Sequence, residues 1–314
     1  MQPGSTETAS GGADTTDATT TAGDARKPPV VANLVEAYIR ERLQRHEIAP
    51  ITARNIRTSL TSLGRVTGNR PVGRLSRSDI ERWLATRQGK AASTRRSDLS
   101  EVKSFCRWLV RRRYIRVDPT AELPAIRIPR YLPRALPREK ITKLISTLPD
   151  PRAVLMCLLM VQEGLRCGEV SVLELGDLDF NQRTARVVGK GGHERFLPLS
   201  DETWQALAIY LRDHPATSGP LIRSYRQEWR ALQADTISGM VSTWMSSAGI
   251  KRYRRDGVSA HALRHSAATD MLRGGAHLRD VQHALGHAHL ATTEVYLPLV
   301  VHDLREAMGG RSYR

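Results

Sequence analysis

The sequence predicts a mainly α protein in two parts, an all-α four-helix segment followed by an α+β segment with a small antiparallel sheet. Three observations lead there. Apolar side chains recur every three to four residues along most of the chain, the period of an amphipathic helix. Within the second part, residues 178–199 break that period with short β-prone runs, two of which flank a glycine-rich turn. Between the two parts stand Pro124, Pro129, Pro133 and Pro137, dense enough to prevent a continuing helix and to favour an extended connection.

Residues 1–28 are largely Gly, Ser, Thr, Ala and Asp, with too little apolar surface to offset the entropy of ordering, and are expected to be a disordered tail. The first helical segment spans 29–121. Leu34, Val35, Tyr38, Ile39 and Leu43 fall on one helical face, and a second helix after Thr52 turns Ile56, Leu60 and Leu63 inward. A third is expected to start at Ser78, with Glu81 completing a capping box, and to bury Ile80, Trp83 and Leu84. The fourth runs from about Thr94 through Leu99, Val102, Cys106 and Leu109 to the triplet Arg111, Arg112 and Arg113, stopping near Asp118 and Pro119. The linker, 122–136, interleaves its prolines with Arg127, Arg130 and Arg134.

The second segment, 137–314, opens with a helix after Pro137 and then a strongly apolar one from Ala153 to Val161, which must be buried and which Gly164 suits as a terminator. Leu178–Phe180, Thr184–Val188 and Glu194–Leu199 have β character, and Gly189–His193 reads as the turn of a hairpin. Helices resume over Trp204–Leu211, Thr236–Ala248 and His261–Arg273, where Gly274 and Gly275 break the last of them. Another covers Leu278–Leu285, a further short one carries Tyr296, and a helical tail follows from about 297.

Charge is the informative part of the composition. Lys and Arg number 48 against 32 Asp and Glu, a net +16 with a pI near 10.4, which calls for a polyanionic partner. Residues 29–135 hold 23 basic and 9 acidic side chains, +14, whereas 136–314 hold 23 and 19, only +4. The excess therefore sits in the helical segment and linker and is rich in arginine, which suits phosphate contacts; Arg95, Arg96, Arg111, Arg112, Arg113, Arg127, Arg130 and Arg134 are the candidate DNA-binding residues. No apolar run reaches the ~18 residues of a membrane span and the N-terminus lacks a secretion-signal pattern, so a cytoplasmic, nucleoid-associated protein is expected. Cys106, Cys157 and Cys167 are too scattered for a disulfide framework or a metal pair. His261 and His265 stand four apart on a helix, but Ala262 denies them the metalloprotease pattern, and Gly189–Gly192 lacks the length and the Lys-Ser/Thr of a nucleotide loop.

Several motifs of the second segment occur together. Gly164-Leu165-Arg166-Cys167-Gly168-Glu169, the hairpin Gly189-Lys190-Gly191-Gly192-His193-Glu194-Arg195 followed by Phe196-Leu197-Pro198-Leu199, His261-Ala262-Leu263-Arg264-His265, and Leu285-Gly286-His287 follow in that order, with Tyr296 nine residues beyond His287. In this the segment resembles the catalytic domain of the tyrosine recombinases, the phage-integrase and Xer family, and the basic helical segment is similar in position and size to that family's core-binding domain. The resemblance implies a tyrosine recombinase fold and a site-specific DNA recombinase, with Arg166, Lys190, His261, Arg264, His287 and Tyr296 catalytic and Glu169, His265 and Gly286 supporting. It also implies double-stranded DNA as partner and strand exchange through a Holliday junction by a homotetramer, or a heterotetramer with a related recombinase. No cofactor, metal or ATP is implied.

The chemistry asks for these residue types in its own right. A phosphodiester attacked by a hydroxyl gathers charge on its non-bridging oxygens, and two guanidinium forks, Arg166 and Arg264, match that geometry bidentately. The departing 5′-oxygen needs a proton, assigned to Lys190. His261 is suited to take the phenol's proton or orient the phosphate, His287 to donate to the phosphate, and Tyr296 to form a covalent 3′-phosphotyrosyl bond. Two alternatives remain open on these residues: a type IB topoisomerase-like nicking-closing enzyme, and a DNA-binding protein without catalysis. Val300, Val301, Leu304 and Met308 form an apolar stripe in the tail, able to dock on its own or a neighbouring subunit.

Overall fold

The computed structural model describes residues 28–68, 70–128, 132–189, 192–227, 230–253 and 256–300. The expected N-terminal tail up to residue 27 and the apolar stripe beyond Val300 lie outside them, as do Lys190 and Arg130. The chain divides into two compact units, one ending at Pro129 and one beginning at Arg130.

Among the described residues the first unit has four α-helices: α1 (Val31–Gln44), α2 (Pro50–Thr67), α3 (Arg77–Ala85) and α4 (Ala92–Arg111). Each turns an apolar stripe inward, and Tyr38, Ile56, Leu60, Leu63, Ile80, Trp83, Phe105 and Leu109 are buried in one core. Removing each such side chain from water contributes roughly 1.5–3 kcal/mol. Tyr38 meets the edge of Phe105 at 5.3 Å between ring centroids, and Phe105 stacks on Trp108 at 5.8 Å.

Three local expectations shift. Helix α4 stops at Arg111 rather than near Asp118 and Pro119, because Arg113 turns left-handed with φ of +59° and the Arg113 and Tyr114 N–H groups close back on the Val110 and Leu109 carbonyls. Helix α2 begins at Pro50 rather than after Thr52, because proline is favoured in the first turn, where its missing N–H leaves no bond unmade. Helix α3 begins one residue before Ser78, capped by Ser76, whose backbone N–H and hydroxyl both donate to the Asp79 carboxylate at 3.0 and 2.8 Å. Asp79, fully buried and also bonded to Arg70 and Arg82, is the acidic member of the box, while Glu81 pairs with Arg77 at 2.8 Å.

The second unit contains α5 (Arg138–Ser146), α6 (Pro151–Val161), α7 (Cys167–Val172), the strands β1 (Leu178–Asp179), β2 (Thr184–Val188) and β3 (Glu194–Pro198), then α8 (Asp201–Asp213), α9 (Ala234–Ser247), α10 (Ala260–Arg273) and α11 (Leu278–Leu285). The strands form an antiparallel sheet in the order β1-β2-β3, with Val187 opposite Arg195 and Ala185 opposite Leu197. Helix α6 is buried along most of its length and is the spine of this unit's core, packing on α8 and α10. Its N-cap Asp150 accepts from the Ala153 N–H at 2.7 Å. Short 3₁₀ turns at Leu290–Thr292 and Glu294–Tyr296, rather than an α-helix, carry the chain to Tyr296. Among the described residues no helix is long and apolar enough to cross a membrane.

Candidate active site

The site is assembled where α6, α7, α10, α11 and β3 converge. Gly164 makes the turn that brings Arg166 there: its φ of +70° suits glycine, and a Cβ would sit 2.6 Å from Leu285 Cδ2. Arg166 then occupies the N-cap position of α7, and its backbone N–H donates to Glu169 Oε2 at 2.9 Å while its Nη1 donates to Oε1 at 2.9 Å. Arg264 and His265 lie on α10, and α11 ends at Gly286, which adopts the left-handed conformation with φ of +61°.

The C-terminus of α11 gathers the arginines. The Leu285 carbonyl, one of the helix's unsatisfied acceptors, receives Arg264 Nη2 and, at 3.3 Å, Arg166 Nη1. Arg264 Nη1 donates to the Gly164 carbonyl. The backbone thus holds two guanidiniums close together against their mutual repulsion. Burial, with the Arg166 charge, lowers the Arg264 pKa to about 10, so it remains a cation at neutral pH.

Among the described residues Glu169 is the single carboxylate of this network. Arg195 grips it with a two-pronged fork, Nη1 to Oε1 and Nη2 to Oε2, each at 3.0 Å, and Arg264 Nη1 stands 3.6 Å from Oε2. Burial works to raise the Glu169 pKa, but the hydrogen bonds from Arg195 and the Arg166 backbone, with the Arg195 and Arg264 charges, leave it lowered overall. Three guanidiniums against one carboxylate leave a surplus of two positive charges, the electrostatic signature of an anion site.

Tyr296 is buried, 2 % exposed, and its hydroxyl lies 2.8 Å from His265 Nδ1. His287 stacks parallel to the phenol, 6.5 Å between centroids, and its Nδ1 lies 2.9 Å from the hydroxyl of the fully buried Thr293. Desolvation, with nearby positive charge, pushes His265 and His287 down to about 4, so both are neutral at pH 7. Desolvation raises the Tyr296 pKa against the opposing Arg264 and Arg166 charges. His261, exposed on the first turn of α10, is also lowered, by desolvation of its ring and then by Arg264 and Arg166.

Arg166, Glu169, Arg264, His265, Gly286, His287 and Tyr296 are therefore brought together. The phenol's hydrogen-bond partner is His265, which the motif assigned a supporting role, and not His261. Lys190 lies outside the described residues, although its neighbour Gly189 bonds to the His193 carbonyl at 2.7 Å and closes the hairpin base. Arg195 and Thr293 were given no role: Arg195 is the last residue of the hairpin motif and Thr293 stands three residues before Tyr296, but only the fold reveals their partners.

The candidate DNA-binding arginines divide. Arg96, Arg111, Arg113 and Arg127 are exposed and Arg95 is partly buried. Arg112 is tied to Glu41 at 2.5 Å, and Arg134 donates to the Asp256 carbonyl, so these two have protein partners.

A two-unit protein with a mainly α fold and a dense arginine network around a buried tyrosine defines a class that handles phosphodiesters. The phage integrase family model matches residues 134–301, and the model for the N-terminal SAM-like domain of phage integrases matches 35–113. The tyrosine recombinase XerC of Shewanella amazonensis is 31% identical over 288 residues, covering 89% of this chain and 95% of that protein. XerC of Mycobacterium leprae is 34% identical over 270 residues, covering 80% of this chain and 88% of its own length. In fold, a lambda integrase dimer bound to a core site aligns with a TM-score of 0.71 at 18% identity, over 84% of this chain and 94% of that one. The XerH recombinase bound to its palindromic difH substrate aligns at 0.71 and 20% identity, over 89% of this chain and 84% of that one. The chain belongs to the phage integrase family of tyrosine recombinases, and is a site-specific recombinase; neither the topoisomerase-like nor the catalytically silent alternative is favoured.

Proposed function

We propose that the protein cleaves and rejoins duplex DNA through a covalent bond between Tyr296 and a 3′-phosphate. The observation that carries this reading is the surplus of two positive charges around Glu169 beside the buried phenol. The Tyr296 oxygen attacks phosphorus, its proton passes to His265 Nδ1, and the bond from phosphorus to the 5′-oxygen breaks as Lys190 protonates that oxygen. Arg166 and Arg264 hold the non-bridging oxygens. Thr293, by donating to His287 Nδ1, leaves the opposite ring nitrogen carrying a proton to give to the phosphate. Attack by a 5′-hydroxyl on the phosphotyrosine reverses the step and conserves the phosphodiester bond.

The first unit's basic surface supplies much of the duplex affinity, and recombination proceeds in a tetramer, two protomers per site, through a Holliday junction. The solved lambda integrase tetramer bound to such a junction supports that assembly by fold alone. The apolar stripe from Val300 onward is suited to docking between protomers.

The test uses a pool of nicked duplexes with randomised sequence, from which wild type traps a covalent adduct and so reports its own site. Tyr296→Phe should trap none; an adduct persisting in that variant would remove the nucleophile assignment. Two-site plasmids built from the trapped sequence should yield recombinants, and relaxed circles alone would argue against strand exchange.

A further inference from the structure

Outside the residues assigned above, one buried side chain touches three of the site's motifs at once. Arg195 lies on β3, on the inward side of the sheet with Leu197, and its side chain is only 11% exposed. Its two terminal nitrogens take both oxygens of Glu169, and its Nε donates to the Ala284 carbonyl of α11 at 2.8 Å. It is packed between two glycines. A Cβ on Gly286 would lie 3.0 Å from Arg195 Nη1, and one on Gly189 would lie 3.7 Å from the same atom. The guanidinium therefore joins the end of the hairpin strand to the carboxylate beneath Arg166 and to the helix end that holds Arg264.

We infer that Arg195 is a positioning residue that locks the Lys190 hairpin onto the arginine clamp, so that the proton donor and the phosphate-binding groups meet the scissile bond in one register; this rests on the reading of Lys190 as the acid. The requirement is geometric. Five donors in a rigid plane satisfy two carboxylate oxygens and a carbonyl together, which an ammonium on a flexible stem cannot do. Misplacing a proton donor by about an ångström costs on the order of a hundredfold in rate. On this face Ala185, Val187 and Leu197 enter the core, β2 and β3 pair with each other, and Arg195 adds a polar anchor close to the turn that Gly189 closes on His193.

Leaving-group chemistry separates this role from a structural one. Arg195→Lys keeps a positive charge beside Glu169 and loses the fork; Arg195→Gln, which keeps a planar donor, is the second variant should the first fail to fold. Single-turnover cleavage is measured on the nicked duplex trapped by wild type, and on the same duplex with the bridging 5′-oxygen at the scissile phosphate replaced by sulfur. A thiolate leaves without a proton, so the sulfur substrate does not need the acid. Arg195→Lys is expected to cleave the oxygen substrate about fifty-fold slower than wild type and the sulfur substrate within about threefold. Equal slowing on both substrates, or no slowing on either, overturns the inference. Lys190→Ala is the internal standard: rescue by sulfur upholds the acid reading, so that failure in Arg195→Lys alone is failure of the positioning role. Absence of rescue in Lys190→Ala defeats the acid reading and the inference with it.

Discussion

The Tyr296 hydroxyl lies 2.8 Å from His265 Nδ1, with the phenol out of water and the imidazole neutral. In the tautomer protonated at Nε2, the neutral ring accepts from the phenol through Nδ1, the arrangement the proposed mechanism uses to receive the phenol's proton. His265→Leu should slow adduct formation about a hundredfold at pH 7, and the loss should shrink toward pH 9, where solvent base takes over. His265→Asn, whose amide oxygen approximates Nδ1, should fall between the two. Parallel pH profiles for wild type and His265→Leu would show that the bond only packs the phenol.

The depressed histidines also set the acid stability of the second unit. His265 and His287 titrate near 4 in the folded chain and near 6.5 once unfolded. Between those values the unfolded chain binds more protons, so stability is at its full value above pH 6.5 and falls as the pH drops toward 4. Each contributes at most roughly 3 kcal/mol to that loss, less after solvent screening. Thermal melts should show Tm declining over this window, and the double variant His265→Asn/His287→Asn should flatten the decline. An unchanged slope would contradict it.

Glu163 acts in the opposite direction. It is buried at the end of α6, accepting from the Ser200 N–H at 2.9 Å and the Thr203 hydroxyl at 3.1 Å, and burial pushes its pKa up to about 7. Here the folded chain binds the extra proton, so stability falls as the pH rises from about 4.5 to 7. Glu163→Gln, which cannot ionise, should remove that component from the melting profile, and an identical profile would count against it.

Much of this was legible in the sequence because helix period and motif order are local. The apolar stripe of α6 and the spacing of His261, Arg264 and Tyr296 needed no fold to be seen. What escaped were pairings across the chain. Arg195 and Glu169 are 26 residues apart and His265 and Tyr296 are 31, and a side chain's partner at that range follows from how elements pack. The α3 cap was missed for a local reason: two serines and two acids offer competing boxes around Ser76 and Ser78, and burial of Asp79 decides between them. By charge alone the linker arginines are alike, whereas Arg134 has a carbonyl partner.

The arginine triplet at the end of α4 divides by partner. Arg112 is bonded through two nitrogens to Glu41, which also accepts from Trp108 Nε1 at 2.8 Å, whereas Arg111 and Arg113 are exposed without an ion pair among the described residues. Arg113 additionally holds a φ of +59°, a backbone cost of about 1 kcal/mol for a residue with a side chain. Arg111→Ala/Arg113→Ala should lower the slope of log affinity against log salt for duplex binding by about 1–2. Arg112→Ala should leave that slope nearly unchanged and lower the first unit's stability by about 1 kcal/mol. The reverse assignment of effects would place Arg112 on the phosphates.

Two glycines of the second unit separate backbone cost from contact cost. Gly275 has φ of +89° with nothing within 4 Å of the point a Cβ would occupy, so Gly275→Ala should cost only the backbone penalty, about 1 kcal/mol. Gly164 has φ of +70° and would drive its Cβ to 2.6 Å from Leu285, the residue whose carbonyl receives both Arg166 and Arg264. Overpacking there adds about 1–3 kcal/mol to the same backbone penalty. Moving Leu285 would also displace the acceptor that holds the two guanidiniums together, so Gly164→Ala should lose cleavage well beyond its loss of stability, while Gly275→Ala should cleave at nearly the wild-type rate. Urea midpoints and single-turnover rates measured side by side check this; equal effects from the two variants would mean that the Gly164–Leu285 contact does not set the clamp.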